Sequence, residues 1–424
     1  MIYLENAATT EKRPEVVQIE RILGDVYGNA QALYSLGKDA REVIELARNE
    51  IATEIGAKSG EVFFTSGATE GNNWAVKGAV WGATSSGPSG HLPQGGLRGP
   101  HPALTRHLPQ GGRLSEGFVP VRPPCPHVVT TEIEHHSVLN TVKALEETGL
   151  CGAAYISPDP VSGEVSEDDV IKEIRDTTVL VSVMMVNNET GALNPVEKIG
   201  RRIAEHNERM HTVGTGRHVL FHVDATQAIG KIKVDVNEIG CDMLTASGHK
   251  FHAGKGRGFM YLREGTKIAN LMEGGAQQMG LRPGTEDTVG AACLAMGLAM
   301  ERVSARQQTI HNLTDELMVG LKGIEDMRIN GTPCYPCGIV SVGFKGVESE
   351  ALLQMLEMRG VVCSAGSACA TGSVEESHVL TAMRVPEEYL RGTIRVSVGA
   401  MNTVEEIREA AAIIRECVGK LREM

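Results

Sequence analysis

Five short apolar segments that end in polar residues alternate with helix-like segments between residues 61 and 250. They read EVFFTSG, HVVTTEIEH, TVLVSVMMVNNE, HVLFHVDAT and CDMLTASGHK. Alternation of strand-length apolar runs with helical patterns is typical of βαβ units, so the sequence predicts an α/β fold with a mostly parallel sheet. In such sheets ligands bind outside the carboxyl ends of the strands. We therefore expect the five polar strand ends to converge on one site.

The pattern changes after about residue 295, which indicates a second domain. A long helical stretch, QQTIHNLTDELMVGLKGIE, precedes the strand-like segments GIVSVGF and TIRVSVG and a terminal helix, TVEEIREAAAIIRECVGKLREM. This order predicts a smaller α+β unit. We assign residues 13–295 to a large domain, and residues 296–424 together with residues 1–12 to a small one.

Residues 83–126 interrupt the large domain with a segment that is rich in Gly, Pro, Ser and His and contains HLPQGG twice. It lacks apolar periodicity, so we expect a flexible insertion between a helix and a strand. A metal or partner tract formed by His91, His101 and His107 is the alternative. We favour a duplicated loop, because no carboxylate or thiol of the tract is placed to complete a ligand set.

Charge and cysteine content exclude several classes of protein. A net charge of −12 argues against binding to nucleic-acid phosphates, which relies on clustered Lys and Arg. Nine scattered cysteines favour reduced thiols over a disulfide framework. The start of the chain, MIYLENAATTEKRPEVV, resembles no targeting signal, and no apolar run reaches membrane-spanning length. We expect a cytoplasmic protein without direct contact to nucleic acid or membrane.

The segment FFTSGATEGNNWAVKGA predicts a strand, a small-residue turn and a helix, which is a geometry that points backbone N–H groups at an anion. Gly67, Ala68 and Thr69 would surround a phosphate there. A purely structural role of Thr69 as the helix N-cap is the open alternative. The segment matches neither the Walker loop nor the GxGxxG fingerprint, which disfavours ATP and NAD.

Two further strand ends carry a carboxylate and a lysine. VDATQ places Asp224 after one strand, and TASGHK places Ser247, His249 and Lys250 after a later one. Each residue alone has an ordinary explanation as a cap or a solvated charge. Together with a phosphate site they fit pyridoxal phosphate, which needs a lysine for covalent attachment and an acid at its ring nitrogen.

The order of SGATE, EHHSVL, VNNETG, HVDATQ, SGHK, RPGT, AGSAC and IRVSVG resembles that of the cysteine desulfurases, in the class V aminotransferase fold of pyridoxal phosphate enzymes. The resemblance covers nearly the whole chain apart from residues 83–126 and a short stretch near MHTVGTGRH. It implies a fold-type I transferase with a mostly parallel seven-stranded sheet, a smaller α+β domain and a homodimer. It also implies the group of sulfurtransferases in which the reactive cysteine lies on a long mobile loop.

The resemblance implies roles for individual residues. The residues expected at the cofactor phosphate are Ala68, Thr69, Ser247, His249 and, reaching across from the partner subunit, Thr285. His135 would stack on the cofactor ring and handle protons, whereas His136 would be structural. The residues expected to bond the rest of the ring are Asn188, Gln227 and Asp224. Arg395 would bind the substrate carboxylate, a task suited to a planar two-pronged donor, with Asn188 nearby.

The implied chemistry is the removal of sulfur from L-cysteine to give alanine. Lys250 would take the Cα proton, and the thiolate of Cys369 would attack the substrate sulfur and become a persulfide. His135 is our candidate for deprotonating that thiol. Cys363, in the same CSAGSACATGS stretch, would be a buried strand residue. The implied sulfur acceptors are iron–sulfur scaffold proteins or thiolation carriers.

Departures from the family pattern and rival interpretations accompany this resemblance. The usual GNPSSxH appears as GNAQALY at residues 28–34, Gln278 and Met279 replace a Glu and an Arg, and LDNAATTP appears as LENAATTE. A selenocysteine lyase or another enzyme of the same fold is one rival. A metal or iron–sulfur protein is the other, with the ligand set Cys334, Cys337, Cys363 and Cys369.

Overall fold

The computed structural model describes residues 1–85, 125–213, 217–299, 303–366 and 376–423. Most of the predicted insertion, with His91, His101 and His107, lies outside these ranges, and so does Cys369. No helix in the described ranges combines the length and the apolar character that a membrane crossing requires.

The described residues form twelve strands and thirteen helices. The strands are β1 (Ile2–Tyr3), β2 (Val62–Thr65), β3 (His127–Thr131), β4 (Gly152–Ile156), β5 (Thr178–Met184), β6 (Leu220–Asp224), β7 (Met243–Ser247), β8 (Gly258–Leu262), β9 (Met327–Ile329), β10 (Ile339–Phe344), β11 (Val361–Val362) and β12 (Thr393–Ser397). The helices are α1 (Pro14–Ile22), α2 (Ser35–Glu54), α3 (Ala68–Ser85), α4 (His136–Glu147), α5 (Glu167–Lys172), α6 (Val196–Val213), α7 (Val236–Ile239), α8 (Thr288–Ala299), α9 (Val303–Leu321), α10 (Ser349–Met358), α11 (His378–Ala382), α12 (Glu387–Leu390) and α13 (Val404–Glu423).

A seven-stranded sheet organises the large unit, in the order β2-β8-β7-β6-β5-β3-β4. Strands β7, β6, β5, β3 and β4 pair in parallel, and β8 lies antiparallel between β7 and β2. This confirms the predicted mostly parallel sheet. Every residue of β5, TVLVSVM, is buried, because helices cover both faces of a parallel sheet.

Helix α4 illustrates how the sequence specifies the covering layer. Its buried residues Val138, Val142 and Leu145 recur at a spacing of three or four, which places them on one face. The helix starts at the polar end of β3, where the side chain of His135 accepts a hydrogen bond from the N–H of Ser137. The cap that begins the helix therefore also fixes a histidine at the carboxyl edge of the sheet.

A second core lies around the three-stranded antiparallel sheet β12-β10-β9. Side chains from α9, α10 and α13 surround it, and Ile2 and Leu4 from the start of the chain pack in the same cluster. β1 also pairs in parallel with β11. The assignment of residues 1–12 and 296–424 to one small domain stays a prediction, and this packing supports it.

A close approach of backbones in the large sheet can be tested by mutation. A Cβ at Gly258 would lie 2.5 Å from the Ala246 oxygen and 2.6 Å from the Gly67 Cα. We expect Gly258→Ala to lower the free energy of unfolding by about 1–3 kcal/mol, because the added methyl group fits only if one of the neighbouring backbone segments moves. Urea denaturation followed by circular dichroism measures this. Gly152→Ala in β4, where a Cβ meets nothing within 4 Å, is the control. Equal midpoints for the two variants would contradict the close approach.

Candidate active site

A cavity of about 620 Å³ lies at the carboxyl ends of β5, β6 and β7, between the two cores. Ten of the predicted site residues line it: Ala68, Thr69, His135, Asn188, Asp224, Gln227, Ser247, His249, Lys250 and Arg395. Thr285 does not line it and is exposed. Cys369 lies outside the described residues, and the last described residue before it, Gly366, lines the cavity.

One wall of the cavity is the turn between β2 and α3. Gly67 has a φ of +151°, and a Cβ there would lie 3.3 Å from the Ser247 hydroxyl. Glycine therefore lets the turn approach the end of β7. The first N–H groups of the 18-residue helix α3, which begins at Ala68, have no partners within the helix. Together with the Ser247 hydroxyl they form a site for an anion.

Asp224 lies at the end of β6 and is 3% exposed. Its Oδ2 accepts a hydrogen bond from Asn72 Nδ2 at 2.7 Å, and its Oδ1 accepts one from the N–H of Thr226 at 3.0 Å. Asn72 Nδ2 also contacts Ser137 Oγ at 2.8 Å. Asn72 is not among the residues predicted from the sequence, because its only signal there is an amide on a helix face that faces a buried sheet. Asn72 fixes the direction of the Asp224 carboxylate.

Lys250 follows β7 in a single helical turn, Gly248–Lys250. Its Nζ donates to the backbone oxygens of Ala7 and Ala8, at 2.5 and 2.8 Å. Gln227 Nε2 also donates to the Ala7 oxygen at 2.9 Å. In the sequence, the segment LENAATTE stands out only as a departure from the family pattern, and the structure makes its backbone part of the site.

His135 is held as a neutral imidazole. Its Nδ1 accepts the N–H of Ser137 at 3.1 Å and lies 2.7 Å from Ser137 Oγ, so the ring proton belongs on Nε2. Burial lowers the pKa of His135 below its usual value, with the positive charge of Lys250 acting in the same direction. A neutral imidazole near Asp224 and Lys250 is able to accept a proton at neutral pH.

Arg395 enters the cavity from β12 and is 3% exposed. Its Nη1 donates to the backbone oxygens of Asn188, at 2.8 Å, and of Gly366, at 3.2 Å. Glu5 lies 3.9 Å from Nη2. The guanidinium therefore bridges the loop after β5, the segment before Cys369 and the N-terminal strand region.

One histidine at the rim of the cavity was not predicted in this role. His378, at the start of α11, lines the cavity, and its ring lies 4.7 Å from that of His136. Its Nε2 contacts the backbone oxygen of Glu134 at 3.0 Å. His378 has no role predicted from the sequence, because one histidine in ESHVLTAM resembles an ordinary surface residue.

The departure at Gln278 has a structural explanation. Its side chain is 3% exposed, and its Oε1 accepts hydrogen bonds from Arg48 Nη1 and from the N–H of Phe64, both at 3.1 Å. Gln278 therefore supports β2, the strand that leads to the Gly67 turn. Met279 beside it is 57% exposed.

The chain matches the family model described as aminotransferase class-V over residues 2–87 and 122–409. Cysteine desulfurase IscS of Methanosarcina thermophila is 36% identical, with 100% of this chain and 93% of that protein aligned. The enzyme of the same name from Clostridium botulinum (strain Kyoto / Type A2) is 34% identical, with 100% and 96% aligned. The chain belongs to the cysteine desulfurases of the class-V aminotransferase family. These cysteine desulfurases are pyridoxal phosphate enzymes.

Solved structures agree with this membership. A NifS-like protein superposes with a TM-score of 0.80 at 29% identity, covering 99% of both chains. SspA in complex with cysteine superposes with a TM-score of 0.74 at 28% identity, covering 95% of this chain and 100% of that one. The chain therefore has the fold of the type I pyridoxal phosphate enzymes to which the cysteine desulfurases belong.

The residues present fit pyridoxal phosphate. The cavity offers a lysine amine, a buried carboxylate and the glycine turn at the start of α3. Thr226 Oγ1 is a buried hydroxyl at the cavity wall that has no hydrogen-bond partner among the described residues. A polar cofactor would satisfy such an atom, since buried polar groups in proteins are almost always paired.

Asn72 can be tested as an orienting residue. Asn72→Ala leaves the buried carboxylate of Asp224 without one of its two donors, which costs about 1–3 kcal/mol. We expect pyridoxal phosphate to bind about tenfold or more weakly, as measured by absorbance titration of the apoprotein. Asn73→Ala is the control, because among the described residues the Asn73 side chain bonds only to Thr69 O in its own helix. If Asn72→Ala bound pyridoxal phosphate with unchanged affinity, Asn72 would not be an orienting residue.

The buried acid Glu134 directly precedes His135 and His136, and its protonation can be tested through the pH dependence of stability. It is fully buried, and burial raises its pKa to about 8. The folded state therefore holds a proton that the unfolded state releases above about pH 4.5, so stability is lost as the pH rises towards 8. Glu134→Gln mimics the protonated form, and we expect its stability relative to the parent to increase between pH 5 and 8 in denaturation curves. A constant difference across that range would contradict the buried protonated acid.

Proposed function

We propose that the chain releases sulfur from L-cysteine as a persulfide on Cys369 and leaves alanine. The observation that supports Cys369 most directly is the position of its neighbours. Gly366 and His378, on either side of Cys369 in sequence, line the cavity that holds Lys250 and Arg395. Three residues span about 11 Å at most, so the length of chain after Gly366 allows Cys369 to reach a substrate there.

Substrate binding rests on Arg395 and Asn188. The Arg395 guanidinium is a two-pronged donor suited to an α-carboxylate, and its contacts with Asn188 O and Gly366 O hold it at the cavity wall. Of the solved relatives, SspA is described in complex with cysteine.

Pyridoxal phosphate, when bound, supplies an electron sink for the substrate α-carbon. Asp224 would hold the ring nitrogen, and Asn188 and Gln227 the ring oxygen. Ala68, Thr69, Ser247 and His249 would hold the phosphate. Lys250 would use its Nζ to take the Cα proton of the substrate, and the backbone oxygens of Ala7 and Ala8 orient that amine.

Sulfur transfer requires a thiolate, because a thiol is a poor nucleophile. Neutral His135 would accept the proton of the Cys369 thiol through Nε2. The thiolate attacks the substrate sulfur, the Cβ–S bond breaks, and sulfur remains on Cys369 as a persulfide. The three-carbon fragment takes up protons and leaves as alanine.

A homodimer and a protein acceptor complete the proposal. Thr285 is exposed and outside its own cavity, so a phosphate contact by Thr285 requires a second copy of the chain. An iron–sulfur scaffold or a thiolation carrier in the cytoplasm would take the sulfur from Cys369. With a net charge of −12, the enzyme favours an acceptor that carries a basic patch.

The test is the variant Cys369→Ala. We expect alanine and sulfide formation from L-cysteine to fall at least a thousandfold, while the absorbance of bound pyridoxal phosphate stays unchanged. Cys125→Ala, which removes an exposed thiol elsewhere in the chain, is the control and should keep parental activity. Alanine formation at the parental rate in Cys369→Ala would overturn the persulfide mechanism.

A further inference from the structure

Cys334 and Cys337, in the sequence CYPC, form a second pair of thiols that the sulfur chemistry does not use. Their Sγ atoms are in contact at 2.7 Å, with Cys337 as the donor. The N–H of Cys337 donates to the Cys334 oxygen at 2.8 Å, which closes a tight turn around Tyr335 and Pro336. Such a turn holds its end Cα atoms within about 7 Å, close to the range in which a disulfide forms.

The surroundings keep this turn in place. The N–H of Cys334 donates to the Gly191 oxygen at 2.9 Å, and Thr314 Oγ1 donates to the Tyr335 oxygen at 3.0 Å. Pro336 fixes its own φ. The two sulfur atoms are therefore held face to face by the fold, and closing a bond between them needs only a small side-chain movement.

The two thiols have unequal environments. Cys334 is partly exposed, whereas Cys337 is fully buried. The hydrogen bond from Cys337 lowers the pKa of Cys334, and the buried ammonium of Lys231 acts in the same direction. Burial raises the pKa of Cys337 well above its usual value. An accessible, more acidic thiol beside a buried one is the arrangement that suits an attacking and a resolving cysteine.

A metal site is less well supported by the same residues. Two thiolates supply half of the four ligands of a structural zinc site. Among the described residues no group of three His, Cys, Asp or Glu side chains is placed to share a metal ion. Cys363, one of the other cysteines of the four-ligand hypothesis, packs against the core of the small unit, while Cys334 packs against that of the large one.

We propose that Cys334 and Cys337 form a redox-active dithiol that is oxidised reversibly by small-molecule disulfides. The Cys334 thiolate attacks one sulfur of RSSR, the S–S bond breaks, and the first RS⁻ leaves and takes up a proton. Cys337 then loses its proton and attacks the Cys334 sulfur, which releases the second RS⁻. In total the protein gives two electrons and two protons, and two RSH are formed.

Lys231 is the positioning residue of this pair. Its ammonium is fully buried, with Nζ 2.9 Å from Gln227 Oε1, and its charge favours the Cys334 thiolate. Without that charge the thiolate fraction falls tenfold for each unit of pKa rise, and the remaining thiolate becomes about threefold more nucleophilic. At neutral pH we therefore expect alkylation of Cys334 in Lys231→Met to be roughly three- to fourfold slower for each unit by which the pKa of Cys334 rises. Lys233→Met, which removes an exposed lysine paired with Glu238, is the control. Equal rates in the two variants would overturn this role.

The pair itself is tested on the holoenzyme with oxidised glutathione and peptide mass spectrometry. Trypsin releases residues 329–345 as one peptide that contains Cys334 and Cys337 and no other cysteine. We expect this peptide to lose two hydrogen atoms without retaining glutathione, and to regain them with dithiothreitol. Cys337→Ser should trap glutathione on Cys334, whereas Cys334→Ser should show neither product. Cys417→Ser, which alters a buried cysteine elsewhere, should behave like the parent. A parental peptide that stays fully reduced, that retains glutathione, or that is protected by stoichiometric zinc would overturn the proposal.

Discussion

The N-terminal segment at residues 5–10 joins the two halves of the site. On one side the N–H of Ala7 donates to Ser397 Oγ at the end of β12, at 2.9 Å. On the other side the N–H of Thr10 donates to the His249 oxygen at 2.8 Å, and Lys250 Nζ donates to the Ala7 and Ala8 oxygens. The N-terminal segment therefore holds the strand that carries Arg395 and the turn that carries Lys250 in a fixed position relative to each other. The distance between the Arg395 guanidinium and the Lys250 amine depends on these few backbone contacts.

A chain of buried polar groups connects the remaining parts. Asp224, Asn72, Ser137 and His135 follow one another through hydrogen bonds of 2.7–2.8 Å from the end of β6 to the start of α4. Because each group is satisfied by the next, the carboxylate and the imidazole keep fixed orientations. Such a network rigidifies the cofactor side of the cavity, whereas Arg395 on the opposite wall belongs to a different sheet.

The environment also distinguishes the cysteines. Burial raises the pKa of Cys363 to about 12, and it raises that of Cys151 to the same value, so neither is a nucleophile at neutral pH. The prediction of a buried strand residue is nevertheless corrected for Cys363, which follows the last residue of β11 and is only partly buried where it packs against the small core. The Cys334 thiol differs because a donor thiol and a buried ammonium lie beside it. Residues of one type thus have unlike chemistry in this chain according to where the fold puts them.

Much of this arrangement could be predicted from the sequence, because strand-length apolar runs end in the polar residues that form the site. Asp224, Lys250 and Ser247 are such strand ends, and they meet as expected. Asn72 could not be identified in this way, since its role depends on which side of α3 faces β6. The backbone oxygens of Ala7 and Ala8 carry no side-chain signal at all. His378 reaches the cavity through long-range packing, which periodicity does not reveal, and the contact between Cys334 and Cys337 depends on a local turn that contacts with Gly191 and Thr314 hold in place.

The central claim is that the cavity delivers sulfur to Cys369. The most direct measurement is peptide mass spectrometry of the holoenzyme after one equivalent of L-cysteine without added thiol. Trypsin releases Cys363 and Cys369 together in residues 360–384, and fragmentation separates the two positions. We predict one additional sulfur atom on Cys369 and none in Lys250→Ala. An additional sulfur on Cys363 or elsewhere, or alanine formed without any protein-bound sulfur, would contradict the account.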